Sequence, residues 1–158
     1  MSAPPEWVFF TDRDLGAHIF PGYLRAAGLR VERHADHFAH DADDDDWLPQ
    51  VAQRDWVILS NDQRMLRRPS ERDAVIVSGA RLLILIGANA KAVDLATNFV
   101  NTRALVFAFL VEHAAPYIAK VYRPSSRSVS PGGVPGRIAM RLTLDEWRRK
   151  HGESQGGG

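Results

Sequence analysis

The sequence predicts an α/β domain with a mainly parallel central sheet covered by helices on both faces. Three observations predict it. Short, continuously apolar runs recur at Val8–Phe10, Val57–Leu59 and Leu82–Ile86, as expected of strands buried on both faces. Segments with apolar residues at helical spacing separate them, and that alternation implies parallel pairing. Two of the runs end close to a carboxylate, Asp12 and Asp62. Ligands of open α/β sheets bind beyond the carboxyl ends of the strands.

The elements follow in order. Trp7–Thr11 is the first strand, and Gly16 frees the backbone after it. Ile19, Phe20, Tyr23 and Leu24 predict a helix from about His18 to Ala27, closed by Gly28. Pro21 falls near its start, where a missing N–H is harmless. Leu29–Arg33 alternates apolar and polar residues, which suggests a short second strand. His34–Asp46 reads as polar, acidic and irregular. Trp47, Leu48, Val51 and Ala52 mark a helix with the Asp run at its N-terminus, where the helix dipole favours negative charge. Trp56–Leu59 is the third strand.

Ser70–Val77 reads as a helix with Ser70 as N-cap, Asp73 in the capping-box position and Gly79 as terminator. Arg81–Ile86 is the fourth strand. Asn89 is placed to cap a helix from about Ala90 to Val100. A longer helix is expected over Arg103–Ala115, restarted at Pro116 and continued to Val121. Pro124–Gly136, rich in Ser, Pro and Gly, reads as an exposed loop. Arg137–Leu142 is an expected edge strand. Thr143-Leu144-Asp145-Glu146 is a capping box before a short helix ending near Lys150. One domain is expected over residues 1–151, with residues 7–86 bearing the motifs and 87–151 supplying helices and a last strand. Residues 152–158 read as a flexible tail.

The chain of 158 residues, 45% apolar, is long enough for one sizeable core. Lys and Arg total 20 against 19 for Asp and Glu, so net charge says little about partners and distribution says more. Acids crowd Asp36–Asp46; arginines crowd Arg64–Arg72 and Arg123–Arg149. An acidic centre with basic flanks suits a metal-dependent enzyme acting on a polyanion; ordinary solvated charge is the plainer alternative. The absence of cysteine excludes disulfides, zinc–thiolate sites and thiol catalysis. Met1–Glu6 lacks the features of a secretory leader, and Ala104–Val111 is too short to span a bilayer. A cytoplasmic protein without membrane contact is expected.

Asp12, the Asp43–Asp46 run and Asp62 carry the chemistry. Several ionised carboxylates in one crevice repel, and stay ionised only if a cation neutralises them. Acids without Cys suit hard cations such as Mg²⁺ or Mn²⁺, bound through a few carboxylates and substrate phosphate. Such an ion positions hydroxide and stabilises charge at phosphorus, which points to phosphodiester hydrolysis. Within the run, helical spacing puts Asp44 on the face of Trp47, Leu48 and Val51. Asp45 is the second choice. The run alone reads first as a solvated, helix-capping patch; the two strand-end acids bring the site reading level with it.

Together, V-F-F-T-D-R-D-L-G near the start, D-D-D-W-L at Asp44–Leu48 and W-V-I-L-S-N-D at Trp56–Asp62 resemble a PIN-like domain, closest to the subgroup of VapC-type toxins. The resemblance covers about Val8–Ala74. It implies a three-layer α/β/α fold and a Mg²⁺- or Mn²⁺-dependent ribonuclease, often a toxin neutralised by an antitoxin protein. By the same resemblance Asp12, Asp44 and Asp62 are the metal-binding and catalytic acids, Asp45 is a further ligand, and Asp14 and Asp36 are weaker extras. Ser60 stands where the family usually has Thr, and no second acid follows Asp62 at the D-x-D spacing. Arg13, Arg64, Arg67 and Arg68 sit near the acids in sequence. Arg13 and Arg64 in particular are expected to meet RNA phosphate; a basic face or an antitoxin surface is the alternative.

His34, His37 and His40 read as loop histidines rather than a metal site, and Ser126, Ser128 and Ser130 lack a partnering His and Asp. The Phe99–Phe109 stripe is core or a homodimer face. Three functions compete: an endoribonuclease, a catalytically silent PIN-like module binding a basic partner, and a receiver-type phosphate-handling domain. The last needs a lysine near the end of a later strand, and Lys91 is the one candidate in this reading.

Overall fold

The computed structural model describes residues 6–87, 89–125 and 129–155, the last four by backbone alone. Six strands form one sheet: β1 (Val8–Thr11), β2 (Arg30–Arg33), β3 (Val57–Ser60), β4 (Arg81–Leu85), β5 (Tyr117–Tyr122) and β6 (Arg137–Thr143). Their order is β2-β1-β3-β4-β5-β6. The first five run parallel, and β6 closes one edge antiparallel to β5. The helices are α1 (Ile19–Ala26), α2 (His34–His37), α3 (Asp44–Gln53), α4 (Arg64–Arg67), α5 (Pro69–Ser78), α6 (Ala92–Asn101), α7 (Arg103–Glu112) and α8 (Leu144–Gln155).

The period of two along each strand divides the core. Phe9, Val57, Leu59, Leu83 and Val121 face α1, α6 and α7 through Phe20, Leu24, Leu95, Phe99, Val106 and Leu110. Phe10, Ile58, Leu82, Ile84 and Ile118 face α3 and α5 through Trp47, Leu48, Val51, Val75 and Ile76. Each fully buried Leu, Ile or Phe contributes about 1.5–3 kcal/mol. The two apolar faces therefore hold the three α/β/α layers together. Within the Phe99–Phe109 stripe, Phe99, Val106 and Phe109 are buried in the core, while Leu105 is exposed.

Several expectations need correction. The segment after Pro116 is not a helix: Tyr117–Tyr122 is the buried strand β5, paired along its length with β4. Proline ends α7's reach, and Tyr, Ile and Val fill a slot covered on both faces. Ser70 does not cap α5. Pro69 occupies the first turn, Arg68 is the N-cap, and Asp73 instead accepts a bond from Trp147 Nε1 at 2.9 Å. Asn89 does not cap α6. Its φ of 61° is left-handed, whereas the cap residue, Lys91, is extended. The stretch after β2 is not wholly irregular, because His34–His37 makes one helical turn and α3 starts at Asp44. The last helix runs to Gln155 rather than ending near Lys150, so part of the expected tail is helical; residues 156–158 lie outside the described residues.

Other expectations hold. Gly79 ends α5 at φ 83°. Glu146 N–H donates to Thr143 Oγ1 at 3.2 Å, the first bond of the capping box, and the Thr143 hydroxyl donates to Glu146 Oε1 at 3.1 Å. Among the described residues no helix is long and apolar enough to cross a membrane. Met1–Pro5, Ser126 and Ser128 lie outside the described residues.

Candidate active site

Strand β1 has β2 on one side and β3 on the other, so chain order reverses there. The crevice beyond this reversal is the favoured ligand position of an open α/β sheet. Asp12 leaves the end of β1 with its N–H donating to Leu59 O at 3.0 Å. Its side chain is buried. Oδ1 accepts from the backbone N–H of Arg13 at 2.7 Å and lies 3.4 Å from Arg13 Nε. Burial, then the charges of Asp14 and Asp44, push its carboxyl up to about 6 against the pull of Arg13.

Asp14 lies on the 3₁₀ turn that follows. Its Oδ2 accepts from Ser60 Oγ at 2.8 Å and from the Asn61 N–H at 2.9 Å. Burial raises its pKa, the Ser60 and Asn61 bonds oppose that, and Asp62 adds to the rise. Asp62 follows β3 and donates its N–H to Ser60 Oγ at 3.1 Å. Arg64 grips it twice, Nε to Oδ1 at 2.8 Å and Nη2 to Oδ2 at 2.9 Å, and holds its pKa below the ordinary range. Arg64 stands two residues after Asp62, where the family often has a second acid.

Asp44 opens α3. Its Oδ1 accepts from Trp47 Nε1 and from Arg13 Nη2, both at 3.0 Å. Arg13 Nη1 also donates to the carbonyls of His40 at 2.7 Å and Ala42 at 3.1 Å. One guanidinium thus ties the loop before α3 to the end of β1.

Asp12, Asp14, Asp44 and Asp62 line one open cavity of about 390 Å³ with Arg13, His40, Arg64 and Met65. The structure brings together the three acids expected to matter and adds Asp14. Asp45 faces a neighbouring trough of about 540 Å³ with Asp41, Asp43 and Glu71. Asp36 stands apart, paired with Arg33 at 2.6 Å. The histidines diverge. His34 is buried among Phe10, Phe38 and Trp47, and His37 pairs with Glu32 at 2.8 Å. Ser60 was legible only as a substitute hydroxyl; its bond to Asp14 joins residues 46 apart and leaves no local signal.

Among the described residues no three His, Cys, Asp or Glu side chains form a ready metal cluster; the acids are met by Arg13 and Arg64. The donor set nevertheless fits a hard cation, since it consists of carboxylate oxygens. The raised pKa of Asp12 comes first from burial and then from Asp14, and Arg13 does not offset the two.

A parallel α/β/α sheet with acids gathered at its switch point defines the class of the domain. A family model described as PIN like domain matches residues 7–87, and the chain belongs to that family. The chain is 30% identical over 117 residues to a Mycobacterium tuberculosis protein named "Putative ribonuclease VapC45", covering 72% of this chain and 84% of that relative. No solved structure matches the chain. Family membership sets the receiver-type reading aside, although β5 does supply a strand lysine, Lys120, that the helical reading concealed. Its partner is Gln63 at 3.3 Å, not an acid.

Proposed function

We propose that this protein is a metal-dependent endoribonuclease and acts as the toxin of a toxin–antitoxin pair in the cytoplasm. One observation carries the reading: four carboxylates from three separate segments line one cavity at the switch point, and Asp12 there is held near a pKa of 6. The name of the mycobacterial relative supports ribonuclease chemistry and, through it, an antitoxin partner.

Asp12, Asp44 and Asp62 would hold Mg²⁺ or Mn²⁺, with Asp14 better placed than Asp45 to assist. The ion, when bound, supplies a hydroxide near neutral pH and stabilises charge at phosphorus. The chain's own residues set the geometry. Ser60 and the Asn61 N–H fix Asp14, Arg64 fixes the Asp62 carboxylate, and Trp47 with Arg13 fixes Asp44. Asp12 is buried, which raises its carboxyl to about 6, so a cation that binds there would displace a proton.

The pairing of Arg13 with two acids and of Arg64 with a third favours the alternative, a catalytically silent module whose acids are already neutralised. Cleavage of mixed RNA with Mn²⁺ or Mg²⁺, beside EDTA and an Asp44→Asn variant, separates them. Cleavage that needs the ion and is lost in Asp44→Asn supports the enzyme. No cleavage together with no calorimetric metal binding establishes the module.

A further inference from the structure

Arg13 and Arg64, the cations expected to meet RNA phosphate, both face carboxylates. Another group of cations does not. Gln63 Oε1 accepts from Arg67 Nη2 at 3.2 Å and from Lys120 Nζ at 3.3 Å, so two positive side chains converge on one neutral oxygen. Arg141 lies on β6, the strand paired with that of Lys120. It is the extra residue where the β5–β6 register shifts, between the pairs Ile118–Leu142 and Ala119–Met140. Burial, then Arg141 and Arg67, hold the Lys120 ammonium below its ordinary range. Among the described residues no ion pair joins any of the three to an acid.

We propose that Lys120 and Arg67, which meet at the Gln63 amide, and Arg141 at the neighbouring β6 bulge form a phosphate-holding subsite for the RNA strand beside the acidic crevice. The inference rests on the RNA reading above. Like charges held together without a counter-charge are stabilised when an anion meets them. The place is right for a strand that also crosses the acids. Ser60, Ile84 and Lys120 stand level on three adjacent strands, which puts Lys120 about 10 Å from Ser60 on the same face. Gln63 is the residue between Asp62 and Arg64. The cations come from α4, β5 and β6 and spread away from the crevice, which suits successive phosphates of a chain. The acids would then cut a strand that this row holds, and Arg13 and Arg64 would serve mainly to order carboxylates.

The test is the salt dependence of single-stranded RNA binding, followed by fluorescence anisotropy in EDTA with the RNA checked intact afterwards. Lys120→Met keeps most of the apolar stem, and Arg67→Gln and Arg141→Gln alter exposed positions; Arg103→Gln, on the opposite layer, controls for net charge. Each subsite variant is expected to lower the slope of log affinity against log salt by about 0.7, and the triple variant by about 2. Thermal melts should match the wild type. Unchanged slopes, an equal loss in Arg103→Gln, displacement by a poly-glutamate peptide as effective as by RNA, or no RNA binding by the wild type would each overturn the subsite. Its failure is distinguishable from that of the nuclease reading. Metal-dependent cleavage with unchanged slopes leaves the enzyme without this subsite. Altered slopes without cleavage leave an RNA-binding surface on a silent domain.

Discussion

Arg13 and Asp44, 31 residues apart, are joined at 3.0 Å, and the same guanidinium lies 3.4 Å from Asp12. Two acids that would repel share one cation. In Arg13→Gln the Asp12 carboxyl loses that support, so its pKa should climb beyond about 6. A carboxyl carbon-13 titration in EDTA measures it directly. A value equal to or below the wild type's would mean that burial and Asp14 alone set the environment.

Asp12 and His34 should pull folding stability in opposite directions over one pH window. Asp12 holds its proton more tightly in the fold, at about 6 against 3.8 in the open chain. Its contribution is therefore favourable in acid and is lost as pH rises through about 6, on the order of 3 kcal/mol acting alone. His34 is shifted the other way, down to about 4 from 6.5, by burial and then by Arg13. The unfolded chain takes that proton first, so stability rises as pH climbs from about 4 to 6.5. Urea unfolding in EDTA should show a shallow wild-type profile. Asp12→Asn should make it rise with pH, and His34→Phe should make it fall. Three parallel profiles would refute the assignment.

Asp14 should outrank Asp45. It shares the cavity with Asp12 and Asp62, while Asp45 faces the neighbouring trough. Asp14→Asn is expected to reduce metal affinity and cleavage by about 10–100-fold or more, with Asp45→Asn close to wild type. Ser60→Ala removes the 2.8 Å bond to Asp14 and should fall in the same range; Ser60→Thr, which keeps the hydroxyl, should recover most of it. Calorimetric metal titration with the cleavage assay reads both. Equal losses in Asp14→Asn and Asp45→Asn would overturn the ranking.

Gly136 closes the β5–β6 connection. Its N–H donates to the buried Thr102 hydroxyl at 2.9 Å, and a Cβ there would run into the Tyr122 carbonyl oxygen. Gly136→Ala should cost about 1–3 kcal/mol, a drop of about 2–4 °C in Tm per kcal/mol. An unchanged melting curve would show that the connection shifts freely.

The strands that carry the acids were readable because each is apolar throughout and stops at a polar residue. Helical spacing sets Asp44 apart from its neighbours, and its bond to Trp47 at three residues' distance agrees with that geometry. What escaped was set by distant partners. Strand β5 is paired with β4, with Arg81 opposite Tyr117; its Tyr, Ile and Val suit a strand, but the apolar run from the preceding helix masks that local signal. Lys120 escaped with it. The Ser60–Asp14 bond and the convergence of Arg67 and Lys120 on Gln63 join residues that only the folded sheet brings together. Pro69 displaced Ser70 as a cap for a local reason, its preference for a first helical turn.

Among the described residues the single sheet has two open borders, and both are charged. Strand β2 presents Arg30, Glu32 and Arg33, and β6 presents Arg137 and Arg141. A neighbouring chain adding its own strand at either border would have to desolvate these groups, a common protection against uncontrolled aggregation. Lateral growth of the sheet is thus opposed at both ends.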